Sequence, residues 1–171
     1  MQSQFDSPVG AGVAGAATLA DSALHRTGLE WLRAAMDRTL PPPPLIVELG
    51  IRLVHVEDGL VIGEYEVQDR HLNGLDTLHG GVLATLADTA GSCAVLSVVP
   101  AGVITPTLEM KINFLRPVSV ASGTLRAEGR LISRGRTTGL AEARITDPQG
   151  RLVAHATVTC SLVPYATEGA A

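Results

Sequence analysis

The residues best equipped for chemistry in this chain are gathered in one short stretch. Asn73 precedes His79 by six residues, Gly80 and Gly81 follow directly, and Asp88 comes nine residues after the histidine. A carboxylate serves as general base for water or as a nucleophile in its own right. Glycines at the start of a helix leave backbone N–H groups without intrahelical partners and let a ligand approach them closely, which favours a developing negative charge. An asparagine adds both a donor and an acceptor. Together these groups describe a loop-to-helix active site. Each also has a plainer reading: Asp88 as a surface acid, His79 as a hydrogen-bonded structural histidine, and the glycine pair as the entry to a core helix.

What must position them is a helix. Residues 82–99 are nearly all Ala, Val and Leu, with no proline until Pro100, and the length of the run fits a buried helix better than a strand. Thr85, Asp88 and Ser92 fall at i, i+3 and i+7, on one stripe of a rod that is otherwise apolar all round. A buried, unpaired carboxylate is costly, so Asp88 must be neutralised, hydrogen-bonded or turned towards a wet cleft.

The remaining elements follow from periodicity. Leu29, Leu32, Ala35 and Met36 recur at helical spacing, and the prolines at 41–44 then predict a stiff, extended connector. Residues 51–56 and 60–67 read as an antiparallel hairpin around Glu57-Asp58-Gly59. Polar residues 68–71 lead into the Asn73 loop. After the long helix, Leu108, Met110, Ile112 and Phe114 alternate with Thr107, Glu109, Lys111 and Asn113, the period of a half-buried strand. That alternation turns Thr107 away from the side of buried Leu108. Residues 124–132, 138–145 and 152–162 supply three more strands, with a turn at 147–150. One long helix among antiparallel strands is an α+β arrangement in which the sheet wraps the helix.

The Asn73, His79-Gly80-Gly81 and Asp88 spacing resembles that of the hotdog-fold acyl-CoA thioesterases of the phenylacetate-degradation (PaaI-like) type. The resemblance runs from about residue 28 to 162 and includes Leu-Arg-Pro at 115–117 and Gly-Arg-Leu-Val-Ala at 150–154. It implies a hotdog fold with a short N-terminal helix and hydrolysis of a medium-chain or aromatic acyl-CoA. It assigns the Gly80 N–H to the thioester oxygen and makes Asp88 base or nucleophile. Asn73 would orient thioester or water, and His79 would hold the loop. Ser92, one turn beyond Asp88, and Thr107, at a hydroxyl position that some members use to hold water, are further candidates. The site would be shared between two subunits of a homo-oligomer, a dimer of hotdogs assembling to a tetramer. Relatives usually carry glycine at Asp76, which bears on the loop backbone, although Asp tolerates turn geometry better than most residues. Arg134 and Arg136, flanking Gly135 between two strands, are candidates for the CoA phosphates; an ordinary solvated turn explains them equally well. The competing functions are a hotdog acyl-thioester dehydratase or hydratase, and a non-catalytic acyl-CoA-binding protein.

Composition narrows the field further. A chain of 171 residues with 46% hydrophobic content suits one domain, here residues 27–164 between flexible tails at 1–26 and 165–171. The net charge of −4, without a run among the 13 Lys and Arg residues, speaks against nucleic acid, as do only two Phe, two Tyr and one Trp. Cys93 and Cys160 form no metal or disulfide pattern, and no cofactor is expected. The first residues lack the basic region of a secretory signal, and residues 82–99 are short for a membrane span, so a cytoplasmic protein without membrane partners is expected.

Overall fold

The computed structural model describes residues 24–165; the terminal tails expected at 1–26 and 165–171 lie almost entirely outside them. The capping box at Thr27 and Glu30 starts helix α1 (Gly28–Met36), with the Thr27 hydroxyl accepting from the Glu30 N–H and the Glu30 carboxylate accepting from the Thr27 N–H. The prolines do not form one extended connector. Residues 41–43 lie outside any helix or strand, but Pro44 opens a second helix, α2 (Pro44–Leu49), that ends at Gly50 with φ 73°. Proline suits the first helical position because its φ is preset and its missing N–H has no partner to lose there.

The hairpin of β1 (Arg52–Glu57) and β2 (Leu60–Glu66) forms as its turn signal requires. Helix α3 (Gly80–Leu96) starts two residues before the apolar run and stops three before its end. Ser97 caps that end: its hydroxyl donates to the Ala94 carbonyl and accepts from the Gly59 N–H, each at 2.8 Å. The strands β3 (Val103–Ile104), β4 (Thr107–Phe114), β5 (Thr124–Arg134), β6 (Thr138–Thr146), β7 (Leu152–Ser161) and β8 (Val163–Pro164) follow. Six strands form one antiparallel sheet in the order β1-β2-β5-β6-β7-β4, and β3 pairs with β8 in a two-residue ladder. The sheet wraps α3 as expected. No helix among the described residues is long and apolar enough to cross a membrane.

Close contact between helix and sheet rests on small side chains. α3 buries Leu83, Leu86, Ala87, Ala90, Gly91, Ala94 and Val95. Opposite them the sheet presents Ala127, Ala141, Ala143, Ala154, Ala156 and Val158, all at most 2% exposed. At Gly129 a Cβ would lie 1.9 Å from the Ala90 carbonyl oxygen, and at Gly91 one would lie 2.6 Å from Val158. Neither position has room for a methyl group.

The strand after α3 departs from simple alternation. Leu108 and Phe114 are 62% and 53% exposed, because β4 is an edge strand with an empty outer side. Thr107 pairs with Cys160 but Glu109 pairs with Thr159, so β4 carries one extra residue at that point. Such a bulge changes which face the preceding side chain points to. Thr107 therefore shares the inner face with Cys160, opposite to the orientation that period-2 reading assigns it.

Gly129→Ala is expected to lower stability by at least about 3 kcal/mol, a fall of about 10 °C in Tm, since backbone rather than a flexible side chain must give way. Gly74→Ala, with nothing within 4 Å and no positive φ, should stay within about 0.5 kcal/mol of the parent. Thermal melts of the two variants check the pair, and equal melts would contradict the close approach.

Candidate active site

The first turn of α3 accounts for its N–H groups one by one. The His79 ring accepts from the Gly81 N–H at 2.9 Å through Nδ1. The His79 carbonyl accepts from Val82 at 2.9 Å and from Leu83 at 3.4 Å. The Gly80 N–H has no partner among the described residues. The four donors that this helix start leaves open are those of His79, Gly80, Gly81 and Val82; three are spent, that of His79 on the His71 carbonyl at 3.0 Å, and that of Gly80 points free. His79 is thus the helix N-cap.

The loop before it is pinned by its own side chain. Asn73 Oδ1 accepts from the Leu75 N–H at 2.9 Å and from the Thr77 hydroxyl at 3.1 Å. Its backbone N–H donates to the Thr77 carbonyl at 2.7 Å. The acceptor half of the Asn73 amide therefore builds the turn, leaving the NH2 group for a ligand. Asp76 has φ 55°, the left-handed conformation that glycine adopts freely and a short polar side chain tolerates. The turn is thus formed with Asp76 in the left-handed region.

Further supports were not legible as such in the sequence. Tyr65, 1% exposed, meets His71 Nδ1 through its hydroxyl at 2.8 Å, and the His71 carbonyl accepts from the His79 N–H at 3.0 Å. Arg70 donates to the Glu48 carbonyl at 2.9 Å and to Gln68 Oε1 at 2.9 Å, while Gln68 donates to the Leu49 carbonyl at 3.5 Å. These last contacts tie the end of α2 to the segment that enters the Asn73 loop. Only the polar character of residues 68–71 hinted at them, since neither the pairing of Tyr65 with His71 nor α2 itself has a local signature.

Asp88 is half-buried, and its Oδ1 accepts from the Thr107 hydroxyl at 2.8 Å. Its other oxygen has no hydrogen-bond partner among the described residues. It lines a cleft of about 820 Å³ together with Thr85, Thr89, Ser92 and Cys93 of α3, roofed by α1, the proline segment and α2. The Ser92 hydroxyl donates back to the Thr89 carbonyl at 3.4 Å. Burial, followed by the neighbouring Asp88 and Cys160, pushes the Cys93 thiol up to about 12.

Asn73 and Gly80 line a different concavity, of about 310 Å³, with Thr77, Leu83, Phe114 and Arg116. Within one chain the structure thus joins Asp88 to Thr107 and Ser92, and Asn73 to Gly80, but does not bring the two groups together. Arg134, Gly135 and Arg136 are exposed and line neither concavity. Strand register nevertheless runs Arg134, Gly139, Cys160, Thr107 across the sheet, so Arg134 lies three strand spacings, about 14 Å, from Thr107. Among the described residues no three His, Cys, Asp or Glu side chains converge on a metal-sized site.

Comparison with known proteins matches residues 75–154 to the thioesterase superfamily. The acyl-coenzyme A thioesterase PaaI of Escherichia coli is 34% identical over 106 residues, 62% of this chain and 73% of that protein. Its structure superposes with a TM-score of 0.71 over 81% of this chain and 96% of its own, at 27% identity. Human acyl-coenzyme A thioesterase 13 is 30% identical over 61% of this chain and 74% of its own. A Streptococcus mutans protein solved with acetyl-CoA bound is 32% identical, with a TM-score of 0.62 over 68% of this chain and 91% of its own. The chain belongs to the hotdog-fold thioesterase superfamily, in its PaaI-like branch, and is a thioester hydrolase.

The raised Cys93 thiol gives a test of this geometry that is independent of turnover. At pH 8 its alkylation in the native protein should be at least about a hundredfold slower than in the unfolded chain, because the thiolate is the reactive form. Asp88→Asn removes a negative neighbour, which lowers the thiol's pKa and should speed labelling. An unchanged rate in that variant would contradict the proximity of the two side chains.

Proposed function

We propose that this protein hydrolyses acyl-CoA thioesters in the cytoplasm, with Gly80 and Asp88 as its principal catalytic groups. The observation that carries the reading is the single unspent N–H of the first α3 turn. A donor held by the helix start and left without a partner suits the oxygen that gains charge as a thioester carbonyl is attacked. Attack by water forms the new C–O bond while the free Asp88 oxygen takes the water proton. The C–S bond then breaks, and the CoA thiolate leaves with a proton. In the alternative route the Asp88 carboxylate attacks first, giving a mixed anhydride that water opens. The Thr107 hydroxyl holds Asp88 in place, and the Asn73 NH2 group orients the thioester or the water.

The separation of the two half-sites supports a dimer in which the Gly80 loop of one subunit faces Asp88 of the other. β4, with its empty edge and exposed Leu108, Phe114 and Leu115, suits pairing with a second copy, and pairs of dimers complete a tetramer. CoA is the carrier because relatives named above act on or bind CoA thioesters; Arg134 and Arg136, within reach of the Thr107 row, are its phosphate ligands. The Escherichia coli and human relatives named above are thioesterases, which favours hydrolysis over dehydration.

Release of free thiol from a panel of short, medium, long and aromatic acyl-CoAs tests the activity. Asp88→Asn should cut turnover by about 100-fold or more with the fold intact, since the amide is neither base nor nucleophile. Gly80→Pro should do likewise, because proline fits the first helical position but lacks the N–H. Mixing the two inactive variants should restore part of the activity once subunits exchange, as one site of each mixed dimer carries neither lesion. Mixed oligomers that stay inactive would place both groups in the same chain's site.

A further inference from the structure

The cleft that holds Asp88 is walled by apolar side chains, among them Trp31, Met36, Leu40, Ile46 and Leu53, and among the described residues only three charged ones line it: Asp88, Arg38 and Arg52. Arg52 is engaged by Glu64 at 3.2 Å. Arg38 makes no ion pair within 4 Å among the described residues. It also stands at φ 59°, one of two non-glycine residues at positive φ among the described residues, where it ends α1 with its N–H on the Ala35 carbonyl at 3.3 Å. A residue with a Cβ is strained in that conformation and glycine is not. The backbone at this position gives no reason for an arginine, which turns attention to its exposed side chain at the cleft.

A second observation marks the same wall. Trp31 of α1 also lines the cleft, and its indole N–H is buried without any acceptor. It is the only buried side-chain N or O atom among the described residues left in that state. Native structures rarely strand a buried donor. The α1 end of the cleft thus carries a cation without a protein carboxylate on it, while the α3 side carries the carboxylate that would act on the thioester.

We infer that the cleft selects acyl groups whose far end bears a carboxylate, with Arg38 as the counter-ion; this rests on the thioesterase reading of Asp88. A methyl-ended tail offers the exposed Arg38 guanidinium nothing in place of water. A carboxylate-ended tail gives the guanidinium a planar, two-oxygen partner. A specificity built on such a partner is lost when the cation is removed.

The test compares hexanoyl-CoA with adipoyl-CoA and octanoyl-CoA with suberoyl-CoA, pairs equal in length and different only at the far end. In the parent protein kcat/KM should favour the carboxylate-ended member of at least one pair by about tenfold or more. Arg38→Met should abolish that preference and leave cleavage of the methyl-ended member essentially unchanged. Arg38→Gly should behave in the same way, and because it relieves the positive φ, misfolding would not explain its effect. The inference is overturned if the parent prefers the methyl-ended tails at both lengths, or if the preference survives in both variants. Absence of any turnover would instead refute the thioesterase reading. Calorimetric affinities of non-cleavable thioether analogues of the same pairs, measured on the parent and Arg38→Met, then decide the role of Arg38 by the same ratio.

Discussion

Everything in this molecule depends on how near α3 lies to the sheet. The space a methyl group would need at Gly129 is taken by the backbone of Ala90, and the rest of the contact is made by alanines and a few branched residues. A helix packed this closely along one side has its remaining polar residues confined to the other. That is why Thr85, Asp88, Thr89 and Ser92 share one cleft, and why a carboxylate can sit in an apolar helix with one oxygen bonded and the other available. The same packing fixes the helix start, so that the Gly80 N–H is held in place by the core and not by the loop alone.

The two halves of the chemistry are prepared by different means. On the Gly80 side the device is hydrogen-bond accounting: the His71 carbonyl, the His79 ring and the His79 carbonyl engage the N–H groups of the helix start and leave that of Gly80 open. On the Asp88 side it is strand geometry. The extra residue between Thr107 and Glu109 rotates the Thr107 hydroxyl onto the inner face, where it meets Asp88. Without that bulge the acid would stand in the cleft without its donor.

Much of this was readable in the chain. The long apolar run, its polar stripe and the glycine pair mark α3 and its start, because helical period and turn chemistry are local properties. The hairpin and the three strands β5, β6 and β7 are equally local. The orientation of Thr107 was not, since a bulge is defined by the register of the partner strand and leaves the alternation of Leu108, Met110 and Ile112 looking regular. α2 was hidden for a different reason: four consecutive prolines describe an extended segment until the last of them is seen to be the first residue of a helix. The pairing of Tyr65 with His71 and the grip of Arg70 on α2 join residues whose contact depends on the folded chain, and no spacing announces them.

That grip bears on how the cleft meets its contents. Its roof, α2, has six residues, leaves Leu45 and Val47 more than half exposed, and is tied to the rest of the protein by Arg70 and Gln68 through solvent-exposed or half-buried bonds. Contacts of this kind are individually weak, whereas the floor is α3, locked against the sheet. The cavity therefore has one rigid wall and one compliant one. On the proposed reading, in which this cleft takes the acyl tail, added tail length meets resistance that grows by degrees as the roof lifts. Discrimination by length in such a cleft is graded, and sharp discrimination has to come from whatever a tail carries at its tip.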